Sequence, residues 1–118
     1  MLSIANHAKI YVYTANVDMR KSINGLIVLL VDIFEQDPKT GDFFVFVNKQ
    51  RNKLKILFWD KNGFSIYYKR LEKGRFQYSS YLQGEEIVVN PAQLTALLMG
   101  LDFYILGQYP DEIYQDFF

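Results

Sequence analysis

A chain of 118 residues, half of them hydrophobic, with thirteen cations against thirteen acids, has enough apolar material for one core and too little length for two comfortable ones. It has no cysteine and one histidine, which excludes disulfides, thiolate sites and any metal centre built from several histidines. The N-terminal run lacks the basic-then-apolar layout of a signal peptide, and the longest apolar stretch, Leu26 to Val31, is far short of the roughly 20 residues of a membrane span; one cytoplasmic domain is expected.

Lys9 to Thr14 alternates and is rich in β-branched and aromatic residues, which predicts a first strand. Asp18 suits the N-cap of a following helix, on which Ile23, Leu26, Ile27, Leu30 and Phe34 recur at the spacing of one face. Val28, Leu29 and Ile33 make the other side apolar too, so this helix is either covered twice or contributes to a subunit interface. It should stop before Pro38. Arg20 and Lys21 fall in its expected first turn, where the helix dipole disfavours cations by about 0.3–1 kcal/mol. A phosphate bound there would offset that cost; pairing of one cation with Asp18 and solvation of the other explains them equally well.

Phe43 to Val47 is almost wholly apolar, as in a central strand, and Asn48 to Asn52 makes a polar turn. In Lys53 to Trp59, Leu54, Ile56 and Phe58 alternate with Lys53, Lys55, Leu57 and Trp59, which predicts one core face and one basic, aromatic face. Asp60 to Gly63 is a hairpin signal, with Gly63 able to supply a positive φ, and Phe64 to Leu71 runs back. Glu86 to Val89 reads as a short strand. Asn90, Pro91 and Gln93 then form an N-cap, a proline first turn and a capping box for a helix to Met99, closed by Gly100. The expected class is α+β: a single domain over residues 1–118 with core 8–102, an antiparallel meander packed on a long first helix, a short second helix, and an acidic aromatic tail over 103–118.

The zero net charge conceals a segregation. Between Lys49 and Arg75 nine Lys or Arg meet two acids, a local balance of +7, whereas residues 76–118 carry six acids and no Lys or Arg. Charge so divided points to a polyanion, an acidic protein surface or the chain's own tail as partner of the basic segment. Catalysis finds little support. Asp18, Asp32, Asp60 and Asp102 read as cap, helix surface, turn and loop rather than as carboxylates converging on metals, and neither a nucleophile elbow nor a phosphate-binding glycine loop is present. No cofactor or metal is expected.

The ordered blocks Asp18-Met-Arg-Lys21, Phe44-Val-Phe-Val47, Lys53-Leu-Lys55, Trp59-Asp60, Gly63-Phe64, Tyr68-Lys-Arg-Leu-Glu72 and Gly74-Arg-Phe76, with Leu97, Leu98 and Gly100, closely resemble the TnpB accessory proteins. These are second-open-reading-frame products of the bacterial insertion sequence family sixty-six. The resemblance covers roughly residues 8–102. It implies a non-catalytic protein that assists transposition performed by a separate, larger transposase. Ser22 and Asn24 stand where the family commonly has Gly and Asp, and the tail is acidic where the family's is often basic.

On these grounds Arg20, Lys21, Lys53, Lys55, Lys69, Arg70 and Arg75 are expected to hold a DNA backbone with little sequence preference, and Trp59 and Tyr67 to supply apolar contact. The alternative is an adaptor that binds the transposase or another element-encoded protein through the same face. The tail, anchored by Phe103, Tyr104 and Tyr109, is expected to dock on the chain's own sheet or on a second copy.

Overall fold

The computed structural model describes residues 7–78 and 86–101. The chain order is β1 (Ile10–Tyr13), α1 (Ile23–Asp32), β2 (Phe43–Val47), β3 (Lys53–Asp60), β4 (Gly63–Arg70), β5 (Glu86–Val89) and α2 (Pro91–Leu98). The strands form one sheet in the order β4-β3-β2-β1-β5. Every residue of β2 is buried, as its unbroken apolar sequence requires of a strand covered on both faces. Phe44 and Phe46 enter one core cluster with Tyr13, Leu26, Leu30 and Leu57. Phe43, Val45 and Val47 enter the other with Ile10, Val12, Leu54, Ile56, Phe76, Leu94 and Leu97. Helix α1 therefore covers one face, while α2 and the segment bearing Phe76 cover the opposite one.

The sheet is mixed, which corrects the antiparallel meander over a long helix. Strands β2, β3 and β4 pair antiparallel in succession, but β1 lies parallel to β2, from Ile10 opposite Phe43 to Tyr13 opposite Phe46. The cause is the connection: residues 14–42 cross a face of the sheet as α1 and its flanking loops, so β2 starts from the same end as β1. Strand β5 then pairs antiparallel with the free edge of β1.

Helix α1 has only ten residues. Its N-cap is Ser22, with no side-chain capping bond, rather than Asp18. Asp18 instead closes a turn ahead of the helix, accepting the Arg20 N–H on its carboxylate and the Lys21 N–H on its carbonyl. At the other end Glu35 adopts a φ of 54°, and the Phe34 and Gln36 N–H groups bond to the Leu29 and Leu30 carbonyls. The helix is thus ended by its own C-terminal turn and not by Pro38. The expected core face is the one that packs: Leu26 and Leu30 are fully buried, with Ile23, Ile27 and Phe34 beside them. The β3–β4 hairpin turns through Lys61 and Asn62, since Asp60 pairs with Gly63. Its left-handed residue is Lys61, at φ 57°, not Gly63.

Helix α2 begins as its sequence indicates. Asn90 accepts the Gln93 N–H at 2.8 Å, and the Gln93 side chain accepts the Asn90 N–H at 2.9 Å. It closes at Gly100, φ 78°, with the Gly100 N–H on the Leu97 carbonyl and the Leu101 N–H on the Ala96 carbonyl, the double bond of a Schellman turn. No helix among the described residues is long and apolar enough to cross a membrane. The tail expectation, with Phe103, Tyr104 and Tyr109, lies outside the described residues.

Gly100→Ala isolates the left-handed closure, because the nearest atom to an added Cβ is the Arg75 carbonyl oxygen at 3.7 Å, an ordinary contact. Urea unfolding should show a loss of about 1–2 kcal/mol; an unchanged midpoint would mean that this turn does not set the end of α2.

Candidate nucleic-acid interface

Strand alternation decides which cations share a surface. In the β3–β4 register Lys53 faces Arg70, Lys55 faces Tyr68 and Trp59 faces Phe64, and Leu57 between them enters the core under α1. Lys53, Lys55, Trp59, Tyr68 and Arg70 therefore lie on the α1 side. Lys69 pairs with Leu54 and Tyr67 with Ile56, so both point to the α2 side. The nine residues singled out from sequence do not form one face.

Lys69 is a structural tie. Its Nζ donates to the Leu98 carbonyl at 2.8 Å, placing a cation at the C-terminus of α2, where the helix dipole favours it. Tyr67 packs against the core cluster on that side. Arg75 is exposed and lines a separate hollow with Arg51, Phe76 and Tyr78; the Arg51 guanidinium lies 4.3 Å from the Tyr78 ring centre. Trp59 sits at the far end of β3, about 20 Å along the strand from Lys53. There it meets Phe64 edge-on at 5.0 Å and lies 5.2 Å from the Lys39 Nζ, which makes it hairpin support.

Lys55 is also tied down. Its Nζ donates to the Met19 and Lys21 carbonyls at 2.7 and 2.9 Å, stitching β3 to the turn before α1, and it stands 5.8 Å from the Tyr68 ring centre. Arg20 and Lys21 lie in this turn, ahead of the N-cap Ser22 rather than inside the helix, and Arg20 is paired with Asp18 there. Arg70 pairs with Glu72 at 3.0 Å on the surface.

What remains is a hollow of about 400 Å³, lined by Asn16, Arg20, Lys49, Gln50, Lys53 and Tyr68 among others. It lies where the parallel strands β1 and β2 end, so the loops that follow both strands form its walls, a common place for binding residues. The Val17 N–H bonds to the Val47 carbonyl at 3.1 Å and joins the two loops. Asn48, 8% exposed, stiffens the second: its side-chain oxygen accepts the Asn52 and Lys53 N–H groups at 3.0 Å each, and its amide donates to Asn52 at 2.8 Å. Among the described residues neither Lys49 nor Lys53 has an ion-pair partner, and no group of three or more His, Asp or Glu is placed to hold a metal. The chemistry on offer is anion binding beside an exposed aromatic ring.

Asn16, Lys49, Gln50 and Tyr68 were not among the residues chosen from sequence. Strict alternation from a two-residue turn at Lys61 and Asn62 would have put Tyr68 with Lys53 and Lys55, and Tyr67 and Lys69 opposite. The loop residues required the parallel pairing of β1 with β2.

Asp18 and Arg20 form a bidentate pair at this rim, the shortest contact 2.7 Å. The guanidinium bonds, then the Arg20 backbone N–H, hold the Asp18 carboxyl down at about 2. Because that value lies below the ordinary 3.8, the pair's contribution is present above 3.8 and disappears as pH falls through about 2. In an NMR titration the Asp18 carboxyl carbon should change near pH 2, and Arg20→Gln should return it toward 3.8; a titration unmoved by the substitution would dissolve the pair.

A family model described as IS66 Orf2 like protein matches residues 8–106. Two proteins of Sinorhizobium fredii are similar along their length. Uncharacterized protein y4hO is 30% identical over 115 residues, covering 98% of this chain and 96% of its own. Uncharacterized protein y4jC is 33% identical over 110 residues, 93% of each. No solved structure matches the chain. With the family model spanning nearly all of the described fold, the chain belongs to the IS66 Orf2-like family, the accessory proteins of these insertion sequences.

Proposed function

We propose that this protein assists transposition without catalysing it, by binding the phosphate backbone of DNA at the end of the sheet around Arg20, Lys49 and Lys53. The observation that carries the reading is the convergence of these three cations on one open hollow, where among the described residues Arg20 alone of the three has a carboxylate partner. Lys21 and Arg70 flank it, whereas Lys55 and Lys69 support the fold. Binding of this kind gains chiefly from counterion release, so it is salt-sensitive and nearly indifferent to sequence. Strand cleavage and joining would belong to the element's separate transposase.

A second reading, an adaptor for the transposase, is favoured by one feature. Val28 and Val31, one turn apart on α1, are 56% and 47% exposed, an apolar pair on the solvent side of the helix that suits protein contact.

For DNA binding, log affinity should fall with log salt at about −0.9 per phosphate neutralised, and Lys49→Ala or Lys53→Ala should each flatten that slope by about one. Lys39→Ala, beside Trp59, should not change it. A slope indifferent to Lys49 and Lys53 would sink the backbone reading. If DNA is not bound while purified transposase is, and Val28→Asp abolishes that association, the adaptor reading replaces it.

A further inference from the structure

Tyr68 is the aromatic residue of β4 left half in solvent, 50% exposed, and it lines the same hollow as Arg20, Lys49 and Lys53. The two aromatic residues expected from sequence to meet a ligand are committed elsewhere, Tyr67 to the core and Trp59 to Phe64. The cross-strand neighbour of Tyr68, Lys55, itself fixed by two backbone carbonyls, lies 5.8 Å from the ring centre, within reach of a cation–π contact that favours this position of the ring. Arg20 stays 91% exposed while its Nε and Nη2 engage Asp18, which leaves Nη1 donors for a second anion.

A concave hollow of about 400 Å³ is poorly shaped for duplex DNA. The grooves of a duplex take a protruding helix or ribbon, and its base faces are hidden in the stack. An unpaired nucleotide presents both a free base face and a phosphate. We infer that the hollow takes an unpaired nucleotide of single-stranded DNA, with the base stacked on Tyr68, the phosphate held by Arg20, Lys49 and Lys53, and the amides of Asn16 and Gln50 along the base edge. The inference rests on the backbone-binding reading and adds the strand form that the site selects. Stacking tolerates any base, so the site prefers single strands and is nearly blind to sequence.

The test measures fluorescence anisotropy at fixed salt with three probes of equal length: a single-stranded oligothymidylate, a blunt mixed-sequence duplex, and an abasic strand that keeps the phosphates and lacks the bases. Wild type should bind the oligothymidylate about tenfold tighter than either other probe. Tyr68→Ala should remove that advantage and leave the abasic affinity unchanged, while Tyr68→Phe keeps it. The abasic comparison needs no variant, so the inference stays testable even if Tyr68→Ala folds poorly. Equal binding of all three probes by wild type, or an oligothymidylate preference that survives Tyr68→Ala, would overturn stacking while leaving the backbone reading intact. Binding of none of the probes would overturn both.

Discussion

Burial of β2 on both faces is the constraint from which the rest follows. Phe43 to Val47 has no solvent side, so the chain must supply cover above and below. It does so with α1 against Phe44 and Phe46, and with α2 and Phe76 against Phe43, Val45 and Val47. Carrying α1 across before β2 forms makes β1 and β2 parallel, and parallel strands release their following loops at the same end. The Val17 to Val47 bond joins those loops, and the hollow lies between them. The basic hollow is thus a consequence of how the central strand is buried.

The cations of β3 and β4 divide by energetic role. Lys55 makes two charged hydrogen bonds to the Met19 and Lys21 carbonyls, the first part-buried and the second exposed, worth up to about 1.5–3 kcal/mol for such a bond. Arg70 and Glu72 form an ion pair with 58% and 78% of their side chains exposed, worth about 0–1 kcal/mol. Removing Lys55 or Lys69 therefore damages the fold first, whereas removing Lys49 or Lys53 changes only the surface potential. A variant lacking all the basic residues at once would confuse unfolding with lost binding.

Local signals gave the elements, and long-range pairing decided their use. The Asn90 and Gln93 capping box, Gly100 and the unbroken apolar run of β2 each carry their physics within a few residues, and each appears where the sequence places it. Asp18 misled because the same side chain that caps a helix also closes a turn ahead of one, and only the geometry separates the two. The parallel neighbour of β1 could not be read locally, since it depends on where residues 14–42 cross. The candidate site was legible as a basic segment. Its division could be read only by carrying strict alternation through from the Lys61 and Asn62 turn, since a one-residue change of hairpin register sends Tyr67 and Lys69 to the other face.

The central claim is that this basic segment is two surfaces, of which only the one at the β1 and β2 ends binds nucleic acid. Amide chemical-shift mapping during titration with single-stranded DNA tests it most directly. The account predicts perturbations confined to residues 16–21, 48–53 and 68–70, with α2, Trp59 and Arg75 unmoved; shifts centred on Tyr67, Arg75 and residues 91–98 would contradict it.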